Sequence, residues 1–200
     1  MVFVDANTKT EADKDVVELS KKDAVFIRVM KVNLTGIDEP KDSKAKKAEK
    51  PVVPVARLEQ PDLWQSFGVK SAGTVVVADW YGNETNRYPS MPGAAVLTSA
   101  IKSAVDSVDK NDKKLEKIAE AASQAADSGD TKGAVRNVLK YFKEEKTGFA
   151  SFSRMVTLYN TLVADGRAKI QAAREANDEA AIKDLTSTFK GTDLESELKP

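Results

Sequence analysis

Apolar positions change rhythm along this chain: short β-branched runs alternate with helical spacings up to about residue 109, and only helical spacings follow. Thr74 to Ala78 is an unbroken apolar run of strand length, which predicts a strand covered on both faces at the centre of a sheet. Gly68 and Gly73 bracket its approach, and Gly82-Asn83 suits a turn needing positive φ, so a short partner strand is expected around Asn86 to Tyr88. Val2-Phe3-Val4 reads as a first strand with Asp5 to Thr8 as a loop. A helix is expected from near Thr10, where Thr10 and Asp13 form a loose capping box and Ala12, Val16, Val17 and Leu19 share a face. Ala24 to Leu34 reads as a second strand inside the sheet, with Arg28 near an end or beside a polar neighbour. Gln60 to Phe67 predicts a short helix with Pro61 in its first turn, Gly68 ending it, and Leu63, Trp64 and Phe67 buried.

Val96, Leu97, Ile101, Ala104, Val105 and Val108 predict a helix over Ala94 to Val108 that closes the sheet domain. From Asn111 the pattern predicts an antiparallel pair, one helix through Leu115, Ile118 and Ala122, the other through Val135, Val138 and Phe142, parted at Gly129-Asp130. Phe152 through Ala176 continues after Thr147-Gly148, kinked or divided at Asp165-Gly166, and Glu179 to Phe189 is a last helix. The tail has only Leu194 and Leu198 to bury, so fraying is expected. Asp38 to Pro54, with five lysines, four acids and three prolines, has the composition of a solvated insertion loop. The expected division is therefore a domain at 1–109, with the insertion at 38–54, and an α-helical segment at 110–200.

Composition narrows the chemistry. The 200 residues contain no cysteine and no histidine, which removes thiolate reactions, disulfides, Cys- or His-based zinc sites and every imidazole triad. Lys+Arg and Asp+Glu are 31 each, so no net basic field favours nucleic acid. No apolar run approaches the roughly 18 residues of a membrane span, and the charged fraction of 31% describes a soluble chain. No signal-peptide pattern precedes the first strand, although Met1 is equally compatible with a start inside a longer polypeptide. Compartment and oligomeric state stay open.

Phe67 to Glu84 runs through a helix end, Gly-Val, a small loop, a Thr with a valine run, Asp, an aromatic pair and Gly. This segment resembles the second half of a thioredoxin-like domain, and residues 1 to about 109 supply the order strand, helix, strand, helix, strand, strand, helix. The resemblance implies an α/β fold, a thioredoxin-like mixed sheet flanked by helices, here followed by an all-α extension. It also places a CxxC pair where Glu11-Ala12-Asp13-Lys14 stands, and a cis-proline where Gly73 precedes Thr74. Both redox marks are missing, so the chain resembles a redox-inactive member, and a trans bond is expected at Gly73. Domains of this kind hold extended peptides against the loop before the third strand. That makes Ser71, Ala72, Gly73 and Thr74, facing Thr8 and Thr10, the implied peptide-binding residues, with Trp64 or Trp80 as reporters. Ala126, Gly129, Asp130 and Ala134 resemble one helical hairpin of the tetratricopeptide type, with no second unit in register.

Other candidates have structural explanations beside the functional ones. Glu11, Asp13 and Lys14 could form an acid-base cluster, or they dress a helix N-terminus. Asp79 could be a catalytic carboxylate, or it orders the hairpin that follows. Trp80 and Tyr81 could be an exposed recognition pair, or they pack on a helix. Lysines at 41, 44, 46, 47 and 50 are diluted by acids, which fits a loop rather than a nucleic-acid arm. No Walker, GxGxxG, EF-hand or GxSxG motif is present, and no cofactor is expected. The leading expectation is a protein- or peptide-binding module. An enzyme or enzyme subunit using carboxylates, and a structural module of a larger secreted or envelope polypeptide, are the alternatives.

Overall fold

A computed structural model describes residues 1–4, 14–22, 24–31 and 51–198. Thr8, Thr10, Glu11, Asp13 and positions 38–50 of the expected insertion lie outside the described residues. The chain divides into two compact units, one of residues 1–50 and 55–110, the other of residues 51–54 and 111–200.

The first unit is built on β1 (Val2–Val4), whose three residues are all buried. Successive side chains of a strand point to opposite faces. Val2 and Val4 therefore join Val16, Val75 and Leu97 in one cluster, while Phe3 joins Trp64, Phe67, Val69 and Val76 in the other. The Phe3 and Trp64 rings meet edge to face at 5.6 Å. Val16 comes from α1 (Lys14–Lys22). β1 pairs in parallel with β2 (Arg28–Met30) and antiparallel with β3 (Val75–Ala78), which pairs antiparallel with β4 (Glu84–Tyr88). The sheet is mixed, in the order β2-β1-β3-β4. Between β2 and β3 come a 3₁₀ turn (Arg57–Glu59) and α2 (Leu63–Ser66).

The expected run Ala24–Leu34 is a strand over Arg28–Met30, and among the described residues it is an edge rather than an interior strand. Val25 is 84% exposed, and Ile27 and Met30 are also exposed. Alternating apolar residues identify a strand but not its rank in a sheet, and Phe3 and Val76 on the two central strands have taken the covered positions. Pro61 lies outside α2, because the Asp62 carboxylate accepts from the Gln65 amide at 3.1 Å and serves as the N-cap.

The helix expected to end at Val108 does not end there. α3 runs unbroken over Ala94–Asp127, 34 residues, and the boundary of the two units falls within it. Nothing between Ala94 and Asp127 is Gly or Pro, and Leu97, Ala104, Val108, Leu115 and Ala122 keep one helical phase through the polar run Asp109–Lys114. Within the second unit, α4 (Thr131–Lys143) runs antiparallel to residues 111–127, as Asn137 donating to the Ala121 carbonyl and Lys114 pairing with Glu144 at 2.6 Å define. α5 (Ala150–Glu175) is continuous through Gly166, without the expected division. A Cβ there would lie 2.5 Å from Phe189 Cζ and 2.7 Å from Leu194 Cδ1, so the glycine makes room for the side chains that follow α6 (Glu179–Thr188). The tail is likewise packed rather than frayed. Leu194 and Leu198 are buried, Tyr159 donates to Asp193 at 2.9 Å, and Arg167 pairs with Glu197 at 2.7 Å. No helix among the described residues is long and apolar enough to cross a membrane.

Candidate functional site

The hairpin after β3 turns on Asp79, which is buried. Its carboxylate accepts from the Tyr81 and Asn83 amides, both at 2.9 Å, and from Asn83 Nδ2 at 3.0 Å. Gly82, at φ +81°, donates to the Asp79 carbonyl. With both oxygens engaged in setting the turn, Asp79 has the hairpin-ordering role. Trp80, at the tip, is 60% exposed. Next to the hairpin, Arg57 and Arg87 flank Glu84 at 3.1 and 2.7 Å. The Arg87 hydrogen bond is the main reason that the Glu84 carboxyl is held below the usual carboxylate range.

Of the implied peptide-binding residues, the loop Ser71–Thr74 is described. Gly73, at φ +87°, donates its amide to the Phe3 carbonyl at 2.8 Å, and the Thr74 carbonyl accepts from the Phe3 amide at 2.9 Å. The Thr74 hydroxyl closes onto the Ser71 carbonyl at 2.7 Å. Ala72 packs against the Phe3 cluster. Gly73 and Thr74 thus direct main-chain groups into the sheet, and a shallow depression bordered by Lys70, Ser71, Thr74 and Arg87 lies outside it. No cis peptide bond occurs among the described residues.

A larger feature of the same unit lies at the other end of β3. A cleft of about 720 Å³ is walled by Ala24–Ile27, by Val75–Trp80, and by Leu97, Ile101, Ala104 and Val105 of α3, with Met1 and Leu58 among its lining residues. Its volume is within the range of ligand pockets. Nine large apolar side chains are exposed among the described residues, all of them in the first unit, and five of the nine line this cleft: Val25, Ile27, Leu58, Trp80 and Val105. Scattered exposed apolar residues are ordinary, and here five of the nine gather around one concavity. Among the described residues, Asp79 is the one lining residue with an ionisable side chain, already held by three hydrogen bonds, and the Met1 amino group, which donates to the Val76 carbonyl at 2.6 Å, lines the cleft as well. The rest of the described lining is apolar.

Sequence reasoning singled out Trp80 but not the cleft. Val25 and Ile27 looked like sheet interior and Val105 like the buried face of a helix, so the signal was an excess of apolar positions over what one small sheet can cover. Compared with known proteins, the chain matches no protein-family model, no curated protein and no solved structure.

Proposed function

We propose that this chain is a redox-inactive, thioredoxin-like binding module whose apolar cleft receives an uncharged, apolar segment of a protein or peptide partner. The observation behind it is the gathering of Val25, Ile27, Leu58, Trp80 and Val105 around one concavity. The thioredoxin-like part rests on the order β1, α1, β2, α2, β3, β4, α3, and the redox-inactive part on the missing marks, among them Gly73 where the family places its proline. A thiol oxidoreductase is ruled out by composition, since the chain has no cysteine. Between the two candidate surfaces, the cleft is favoured over the Ser71–Thr74 loop, because the Gly73 amide and Thr74 carbonyl are already committed to β1.

The test is retention of a random peptide library on the immobilised full chain, compared with a Val105→Arg variant. Val105 is 50% exposed, so the substitution should leave folding intact while placing a charge at the cleft wall. Retained peptides should be rich in apolar residues and lost from the variant. Equal retention on both proteins would remove the cleft from the function.

A further inference from the structure

The second unit carries a charged feature that its apolar core does not explain. In a chain whose bases and acids balance at 31 each, α4 has Lys132, Arg136, Lys140 and Lys143 and no acid. Lys132 stands in the first turn, where unpaired amides make a helix end positive and favour an acid, and that turn contains none. A base set against the dipole is a local conflict, and conflicts of this kind collect at functional positions. Asp130 caps the turn, its carboxylate accepting from the Gly133 amide at 2.8 Å, so the amide end itself is already satisfied.

Three cations meet where α4 faces the end of α6. A depression of about 370 Å³ is bordered there by Lys132 and Arg136 on one side and by Ser187, Thr188 and Lys190 on the other. Two contacts hold the sides together. Lys132 donates to the Ser187 hydroxyl at 2.7 Å, and Gly191 sits so close to α4 that a Cβ on it would lie 3.4 Å from Leu139 Cδ1. Asp130 is the one acid in the lining among the described residues, which leaves three positive charges against one negative. Glu195 is held by the Gly191 amide at 2.7 Å and does not line the depression. Arg136 and Lys190 are exposed, and among the described residues neither has a carboxylate partner. Ser187 accepts from Lys132, so its own hydroxyl proton is left to donate, and Thr188 adds a second hydroxyl.

We infer that this depression binds a phosphate monoester. A phosphate group brings about −1.5 to −2 charge at neutral pH and three strong acceptor oxygens, which answer Lys132, Arg136 and Lys190 together with the two hydroxyls. A carboxylate, with one charge, would leave the excess half met. The forked N–H groups of Arg136 match paired phosphate oxygens. Val135 and Leu139 give the lining an apolar part against which the organic substituent of an ester can lie, and the volume is that of a small ligand pocket. The site belongs wholly to the helical unit and is independent of the apolar cleft.

The probe is phenyl phosphate, titrated against the full chain with backbone amide NMR as the readout, beside inorganic phosphate and phenol. Saturable shifts are expected at Gly133, Ser187 and Lys190, with inorganic phosphate binding more weakly and phenol leaving these amides unmoved. A double variant, Arg136→Gln with Lys190→Gln, alters two exposed side chains and should fold as the parent does. It should bind phenyl phosphate about tenfold or more weakly, the loss expected when charge-assisted hydrogen bonds are removed. Lys169→Gln, which removes an exposed cation outside the depression, should bind as the parent does. Inorganic phosphate binding as tightly as phenyl phosphate would overturn the ester and leave a site for the free ion. Unmoved amides at the depression, phenol shifting them as phenyl phosphate does, or equal weakening by Lys169→Gln would overturn the site itself.

Discussion

The two units bury their apolar residues with different completeness. In the helical unit Leu115, Val138, Tyr141, Phe142, Met155 and Phe189 are all inside, and the polar atoms among them are paired, Tyr141 with Ser151 at 2.9 Å and Tyr159 with Asp193. In the sheet unit the two faces close over β1 and β3, yet every exposed large apolar side chain among the described residues belongs to it. Helices of 13 to 26 residues can each turn a whole stripe inward. Strands of three to five residues cover little, and apolar side chains around them stay exposed. The described helical unit keeps its large apolar side chains inside, and the described part of the sheet unit leaves nine of them exposed.

The largest effect expected from breaking this contrast is at Phe189. It is 1% exposed, and truncating a buried aromatic to alanine costs about 3–5 kcal/mol, so Phe189→Ala should lower the denaturation midpoint steeply. Gly166→Ala is next. In an ordinary helix interior this exchange stabilises by roughly 1 kcal/mol, but here the new Cβ collides with Phe189 and Leu194. Overpacking of about 1–3 kcal/mol should reverse the sign. A variant more stable than the parent in urea would show that the notch is not filled.

A smaller effect separates the units by pH. Burial, more than anything else, pushes the Tyr159 hydroxyl from 10.0 up to about 12. A group whose folded pKa is raised contributes stability that is complete below its unfolded value and lost as pH climbs to the folded one. The helical unit should therefore weaken between pH 10 and about 12, and Tyr159→Phe should blunt that slope in alkaline melts. Glu84 in the sheet unit has the opposite sign. Its lowered pKa, due first to the Arg87 hydrogen bond, gives stability that is present above the unfolded carboxylate range and declines as pH falls through the folded value. Glu84→Gln should flatten the acid limb slightly.

The smallest stability change belongs to the cleft. Val25→Thr and Trp80→Ser alter side chains 84% and 60% exposed, so each should stay within about 0.5 kcal/mol of the parent. Loss of cooperative unfolding in either would mean that the cleft wall is part of the core.

What was legible in the sequence follows the same division. Val2–Val4, Thr74–Ala78 and the Gly82-Asn83 turn carried their own signals, because β-branched runs and positive-φ residues act locally. Asp79 was readable as a hairpin organiser for that reason. The rank of β2 was not, since alternation at Val25, Ile27 and Val29 looks the same at an edge and in a centre. The helix reads as ending at Val108, where the strand and helix inventory of the sheet domain is complete, yet none of the residues Asp109–Lys114 stops a helix. Gly166 looked like a kink and is a packing notch, a distinction set by Phe189 and Leu194 from later in the chain. The cleft is a property of the assembled sheet unit, drawn from five separate stretches, and no one of them announces it.

The most direct measurement is methyl NMR of the full chain as an apolar peptide retained from the library is added. Shifts should concentrate on Val25, Ile27, Val77 and Val105, with Val138, Met155 and Leu194 of the helical unit unmoved. Shifts that gather on the helical unit, with the cleft methyls silent, would contradict the assignment of binding to the sheet unit.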